Sequence, residues 1–157
     1  MKHLTFEQFL PISLEEAWTF FSSPKNLNLI TPSELEFRIL DDLPDQMYQG
    51  MMIRYKIKPM LNIPLDWVTE ITMIKDHQFF IDEQRIGPYN VWHHEHHFKA
   101  VDGGVLMTDK LYYDIGLGFL GTLAGKLLVD QQVLRIFDFR KIALTDLFRA
   151  TPQRRSL

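Results

Sequence analysis

Four of the six histidines fall in one stretch, Gly87-Pro-Tyr-Asn-Val-Trp-His-His-Glu-His-His-Phe98. Imidazoles can ligate a metal, move protons near neutral pH, or fix a ligand through hydrogen bonds. Which of these applies depends on where the side chains point. In a strand, successive side chains face opposite sides, so Trp92, His94, His96 and Phe98 share one face. Val91, His93, Glu95, His97 and Lys99 share the other. The first face has an aromatic at each end and two imidazoles between. Small-molecule pockets are built from such apolar surfaces with a few placed polar groups.

Each chemistry can be weighed on spacing. For a metal, His94 and His96 would supply two ligands, with Asp82 or Asp109 from a neighbouring strand as a third. Two familiar contexts fail. Phe98 stands where a helical zinc-protease motif needs its second His. Counted from Gly87, Glu95 stands where a cupin-type His-x-His needs its second His. No metal and no cofactor are therefore expected, and His3 and His77 read as surface residues. Nucleophilic catalysis finds neither a Cys nor a Gly-x-Ser-x-Gly elbow. Acid–base chemistry by His94 or His96 with Asp82 or Asp109 is physically open, because burial and a carboxylate neighbour tune an imidazole. The plainer reading is two buried, neutral imidazoles satisfied by carboxylates or water. The readings overlap, since satisfied polar residues also orient a guest. Asp82 and Gln84 share a face with Phe80 and Ile86, opposite Phe79, Ile81, Glu83 and Arg85. Both faces are mixed, so alternation leaves their direction open, with Asp82 capping a turn or pairing with a Lys or Arg across the sheet as the alternative.

These residues need a scaffold, and the rest of the chain supplies one. Lys2 to Leu10 alternates as a strand. Ser13-Leu14-Glu15-Glu16 is a capping box that opens a short helix carrying Leu14, Ala17, Trp18 and Phe21. Ser23-Pro24 starts a second short helix through Asn28, which Thr31-Pro32 ends. Strands are expected at 34–41, 50–58, 65–75, 78–86, 90–101 and 105–114. Turn signals at Pro44-Asp45, Pro59–Pro64, Lys75-Asp76, Gly87-Pro88 and Asp102-Gly103-Gly104 divide them. Such short connections make an antiparallel meander. Its buried side should carry Met51, Ile53, Tyr55 and Ile57, then Leu65, Trp67, Thr69 and Ile71, then Trp92 to Phe98. From about Gly118 to Phe148 there is no Pro. Leu120, Leu123, Ala124, Leu127, Leu134, Phe137, Ala143, Leu144 and Leu147 recur at helical spacing. A helix of that length, about 45 Å, is long enough to cover the sheet. The glycines 116, 118, 121 and 125 at its start weaken helix there or allow close approach to the sheet, with a ligand gate as one use.

The order strand, two short helices, strands, long helix gives an α+β fold of about seven strands. It is one domain over 1–150, with 151–157 as a flexible tail that holds the Arg154-Arg155 pair. A chain of 157 residues with net charge −3 is no general nucleic-acid binder, which needs a basic surface. The absence of Cys fits a reducing compartment. With no apolar signal core and no run of eighteen apolar residues, a cytoplasmic protein is expected.

This order of elements resembles the START-like (SRPBCC) helix-grip superfamily, which includes birch-pollen-allergen-like proteins, polyketide cyclases and coenzyme-Q-binding domains. More locally, five stretches are similar to a small bacterial ligand-binding group within it. They are Trp67, Phe80-x-Asp82-x-Gln84, Gly87-Pro88-Tyr89, Trp92-x-His94-x-His96-x-Phe98 and Ile136-Phe137-x-Phe139-Arg140. The resemblance implies a curved antiparallel sheet wrapped on the long helix, a cavity between them, and Phe80, Asp82 and Gln84 facing inward. It implies no single reaction.

The expected function is binding of a small, mostly apolar molecule such as a lipid, isoprenoid or aromatic. The ligand-binding candidates are Tyr55, Trp67, Thr69, Asp82, Gln84, Trp92, His94, His96, Phe98 and Phe137. One alternative is a cyclase-, dehydratase- or hydrolase-type enzyme using His94 and His96 as acid and base, with Asp82 and Asp109. Another is a protein-interaction module with a filled core. The Pro59–Pro64 loop could touch a membrane transiently or form a pocket rim opposite Leu117, Phe119 and Leu120. A free sheet edge allows a monomer or a homodimer.

Overall fold

Alternating side chains make Lys2–Leu10 strand β1, with Leu4, Phe6 and Leu10 turned inward. The computed structural model describes residues 1–58, 63–115 and 123–149. Helix α1, Leu14–Phe21, starts on the capping box. The Ser13 hydroxyl accepts the Glu16 amide at 3.2 Å, and the Glu16 carboxylate accepts the Ser13 amide at 2.9 Å. Its inner side buries Ala17, Trp18 and Phe21. Pro24–Ile30 and Ser33–Leu35 then wind as 3₁₀ turns.

The strand expected at 34–41 shrinks to β2, Arg38–Ile39. Leu35 closes a 3₁₀ turn, and Glu36 adopts a φ of 44°, which swings the backbone out of the extended direction. Beyond β2 the Leu40 amide still donates to the Arg54 carbonyl at 2.9 Å, and the Asp41 carboxylate then takes the Arg54 amide at 2.8 Å and its guanidinium at 2.6 Å.

The remaining strands lie close to their expected places: β3 Met52–Ile57, β4 Leu65–Lys75, β5 Phe79–Ile86, β6 Val91–Val101 and β7 Gly104–Asp114. They form one seven-stranded sheet in the order β1-β7-β6-β5-β4-β3-β2, and every neighbouring pair is antiparallel. Gly103, at φ 76°, makes the tight β6–β7 turn, a conformation that favours glycine. The buried face carries Ile53, Tyr55 and Ile57 on β3, and Trp67, Thr69 and Ile71 on β4. It continues with His94, His96 and Phe98 on β6, and Val105 to Tyr113 at alternate positions on β7. Leu65 is only half-buried.

Helix α2, Leu123–Arg149, crosses that face beside β1. Lys2 pairs with Asp130, the Phe6 and Phe137 rings stack at 4.1 Å, and the Gln8 amide donates to the Lys141 carbonyl at 2.9 Å and to Thr145 Oγ1 at 3.1 Å. Six residues of strand rise about 20 Å and fifteen of helix about 22 Å, so helix and strand run side by side over this length. The helix turns in a different stripe from the one the leucines suggest. Leu127, Leu134 and Leu147 are exposed, whereas Val129, Val133, Phe137, Arg140, Leu144 and Phe148 are buried. The buried set steps by three and four, so one helix face packs on the sheet and Arg140 lies within it. Leu120 and the side chains of Leu123 and Ala124 lie outside the described residues, as do Gly116, Gly118 and Gly121, Leu117 and Phe119, residues 59–62 of the loop and the tail 151–157.

Candidate functional site

Strand register builds the polar centre. Across β5, β6 and β7, Asp82 stands opposite His94, and His96 stands opposite Asp109. Each carboxylate therefore has one imidazole directly across and the other on the diagonal, both within reach. Asp82 Oδ2 lies 2.7 Å from His96 Nε2 and 3.6 Å from His94 Nδ1. Asp109 Oδ1 lies 3.0 Å from His94 Nε2 and 2.9 Å from His96 Nδ1. The two rings are 3.8 Å apart, and Phe80 stacks on His96 at 4.1 Å. From α2, Arg140 Nη2 reaches His96 Nδ1 at 3.2 Å and Asp109 at 3.6 Å. His94, His96, Asp109 and Arg140 are all buried.

Two contacts compete for His96 Nδ1, and charge decides between them. If Nδ1 accepts from Arg140, His96 is neutral and the two carboxylates face a single guanidinium. That leaves a buried net negative charge, whose effective cost is several kcal/mol. If His96 is an imidazolium, Nε2 donates to Asp82, Nδ1 donates to Asp109, and the cluster is neutral. The second state is favoured. Burial opposes charge on His96, but its bonds to Asp109 and Asp82 outweigh that and raise its pKa. Burial, then repulsion from His96, lowers His94, which stays neutral with its Nε2–H on Asp109 and a bare Nδ1 towards Asp82. Burial alone would raise Asp109, yet Arg140 and the bonds from His94 and His96 hold its carboxyl well below the usual range. Asp82 is lowered likewise, against burial, by the His96 bond and the neighbouring charges.

Above this centre lies a pocket of about 180 Å³ between the sheet, the 3₁₀ segment and α2. Its floor includes Asp82, His94 and His96, and Arg140 and Phe137 come from the helix. Tyr55, Trp67 and Trp92 wall one side. Trp67 packs edge-on to Trp92 at 5.4 Å and stacks with Tyr55 at 5.9 Å. Thr69 Oγ1 accepts the Trp67 indole N–H at 3.0 Å and meets the Tyr55 hydroxyl at 2.9 Å. Three hydrogens thus serve two bonds, and one hydroxyl hydrogen is left over beside the pocket. Burial raises the Tyr55 pKa, so it remains a neutral phenol.

The candidates Tyr55, Trp67, Thr69, Asp82, Trp92, His94, His96 and Phe137 all line this pocket. Gln84 and Phe98 are not part of its wall. Gln84 Nε2 donates to the Tyr89 carbonyl at 2.6 Å and its Oε1 accepts the Tyr89 amide at 3.3 Å, so it clamps the turn that presents Tyr89. Phe98 packs on Phe21 at 5.1 Å and Trp18 at 5.8 Å in the core. Asp109 sits behind the imidazoles. His3 is exposed and stacks on Tyr112, and His77 is half-buried, bonded to Glu15 at 2.7 Å. Arg140 is the site residue that the sequence reading left off its candidates. Its signal was a charged residue three after Phe137 on a helix whose buried stripe continues to Leu144 and Phe148. One ligand atom each from Asp82, His94 and His96 lies within 4.8 Å of the others, the group that could hold a metal among the described residues. An ion there would have to displace the bonds to Asp82 and Asp109 and tolerate Arg140 next to it.

No protein-family model matches the chain, and no curated protein matches it in sequence. Solved structures do match in shape. Protein Ms6760 from Mycobacterium smegmatis superposes with TM-score 0.68 at 18% identity, over 94% of this chain and 91% of that one. Protein NE0264 from Nitrosomonas europaea gives 0.68 at 12% identity, over 94% of each chain. Ara h 8.0201, a birch-pollen-allergen-like protein, gives 0.58 at 13% identity, over 92% of this chain and 98% of that one. Among the described residues, no helix is long and apolar enough to cross a membrane. With a seven-stranded antiparallel sheet folded against a long C-terminal helix, and these neighbours, the chain has the START-like helix-grip fold.

Proposed function

We propose that the chain binds one small, mostly apolar molecule in the pocket between sheet and C-terminal helix. The observation that carries this reading is the lining itself. Aromatic and aliphatic side chains surround a buried hydrogen-bonded centre, and free volume remains among them. That volume speaks against a filled core serving only as an interaction module. Its size sets the guest. A cavity of about 150 Å³ holds a benzene ring, so about 180 Å³ suits one ring with a short side chain or a comparable aliphatic piece. Among the ligands named at the outset, a small aromatic fits this volume better than an extended isoprenoid or a lipid with long chains.

Native mass spectrometry of freshly purified protein, then solvent extraction and identification, tests the proposal. A bound species that a bulky substitution at Ile53 or Ile136 removes supports it. A chain that is empty and neither changes tryptophan fluorescence nor gains thermal stability with any small aromatic or aliphatic compound refutes it.

One feature favours a second reading, acid–base catalysis. His94 and His96 are adjacent yet driven in opposite directions, a pattern that separates a base from an acid. Replacing either with Gln distinguishes the two. For a binder, affinity falls about two- to tenfold, the worth of one net hydrogen bond. For an enzyme, turnover falls on the order of 10²–10⁴-fold with binding near wild type.

A further inference from the structure

We infer that the guest is a small carboxylic acid, held as its carboxylate by Arg140 at the polar end of the pocket beside His94. This rests on the pocket-binding reading above and narrows it to a chemical class.

Arg140 carries unmet donors. Arg140 is 8% exposed and lines the pocket. A guanidinium has five N–H donors in a planar fork. Among the described residues only Nη2 approaches the cluster, and its neighbour His96 Nδ1 cannot accept when His96 is an imidazolium. Nε is sealed and has no partner. Nη1 makes no hydrogen bond with the described residues, and it is not among the sealed atoms. The Phe21 ring, 5.6 Å from Cζ, satisfies charge over its face and no N–H. A desolvated cation with spare donors is costly, and the planar fork matches a carboxylate.

Charge balance then says what must accompany the anion. The cluster is neutral with two carboxylates, one guanidinium and one imidazolium, so a bare carboxylate would bring an uncompensated charge into it. His94 has a place for the compensating proton. Its Nδ1 is bare and 3.6 Å from Asp82 Oδ2, so the positive charge added with a proton there lies within ion-pair distance of a carboxylate. The groups facing His94 are Asp82 from β5, His96 on its own strand and Asp109 from β7, and Arg140 from α2 reaches the cluster through His96 and Asp109. Binding is therefore one carboxylate plus one proton from solvent, with no covalent bond made or broken. The spare hydroxyl hydrogen of the Tyr55–Thr69 pair offers a second contact, suited to an oxygen elsewhere on the guest.

Isothermal titration at pH 7 of the intact chain with 3-phenylpropionate and with 3-phenyl-1-propanol tests this. The acid should bind about ten- to hundredfold more tightly than the alcohol, the difference expected of a charge-assisted bond. In two buffers of different ionisation enthalpy, the acid should take up about one proton and the alcohol none. Arg140→Met should remove the preference for the acid over the alcohol, and Arg140→Lys should keep part of it. The wild-type comparison needs no variant, so a misfolded Arg140→Met leaves the test intact. Equal affinity for acid and alcohol, or acid binding without proton uptake, overturns this inference and leaves the pocket reading standing. Failure of both compounds to bind at millimolar concentration overturns this inference, and the extraction experiment above then decides the pocket reading separately.

Discussion

Asp109→Asn is the sharpest probe of the buried cluster. The substitution keeps the shape of the side chain and removes a charge on which His94 Nε2, His96 Nδ1 and Arg140 Nη2 converge at 3.0, 2.9 and 3.6 Å. Removing one partner of a buried ionic group costs about 3–5 kcal/mol, because the others stay desolvated and uncompensated. Asparagine can still accept one of those bonds, and His96 can shed its proton, so the lower end, about 3 kcal/mol, is expected. For a domain of this length, that lowers Tm by about 6–12 °C. The deficit should depend on pH in a defined sense. The depressed Asp109 carboxyl contributes stability that is present above its unfolded value of 3.8 and lost as pH falls through its lower folded value. The raised His96 imidazole contributes stability that is full below its unfolded value of 6.5 and lost as pH rises through its higher folded value. The gap between variant and wild type should thus be widest between about pH 4 and 6.5 and narrow on either side. Scanning calorimetry at pH 3 to 9 measures it, with Asp45→Asn as control. Asp45 pairs with Lys25 at 2.8 Å but is 93% exposed, and no measurable change in Tm is expected. If Asp109→Asn behaves like Asp45→Asn at pH 5, the cluster is not the desolvated ionic network described here.

Thr69→Val should cost about 1–3 kcal/mol in urea unfolding, because it strands the Trp67 indole N–H and the Tyr55 hydroxyl in a buried site. A loss below about 0.5 kcal/mol would mean water already satisfies them. At Gly87 a Cβ would run into the Gln84 amide that clamps Tyr89, so Gly87→Ala should change near-ultraviolet dichroism from Tyr89, Trp67 and Trp92. An unchanged spectrum would show that the turn adjusts without moving Tyr89. Exhaustive chelation should leave Tm unmoved, since protons and Arg140 already compensate Asp82 and Asp109. A fall of many degrees, restored by zinc and not by magnesium, would replace the protonic account with a metal site.

The sheet was legible because strand parity is a strict period of two. Once Trp92 and Phe98 are taken as inward, His94 and His96 must be inward too, and the buried places of β7 include Asp109. Parity failed on β5, where both faces mix charge and aromatics; what turns Asp82 inward is its register opposite His94, a long-range fact. The segment 34–41 misled because its apolar residues alternate well, while the left-handed turn at Glu36 gives no pattern signal. The helix misled for a different reason. Leucines lie on every side of α2, so a count of leucines does not find its buried stripe, and Val129, Val133 and Arg140 are recognisable only once packed on β1 and β7. Arg140 was the largest loss, since a charged residue in a helix reads as solvent-facing until its neighbours three and four residues away are seen to be buried.

The side-by-side seating of α2 along β1 would also oppose passage of a guest along that seam. Lys2 with Asp130, Phe6 with Phe137 and Gln8 with Thr145 fasten the helix to the sheet edge at three points along some 20 Å. Exchange of a guest along that seam would break all three at once. The opposite margin has a two-residue strand and 3₁₀ turns, whose hydrogen bonds are poorer and whose local opening is correspondingly cheap. Leu27, Ile30, Leu35 and Phe37 on that margin already touch the pocket. The dissociation rate of a guest should therefore follow the local opening of residues 24–37 and be nearly indifferent to how tightly the sheet as a whole is held. Hydrogen exchange would show this as fast amides along that margin and slow ones along β7, at the β1 amides bonded to it, and along the buried stripe of α2.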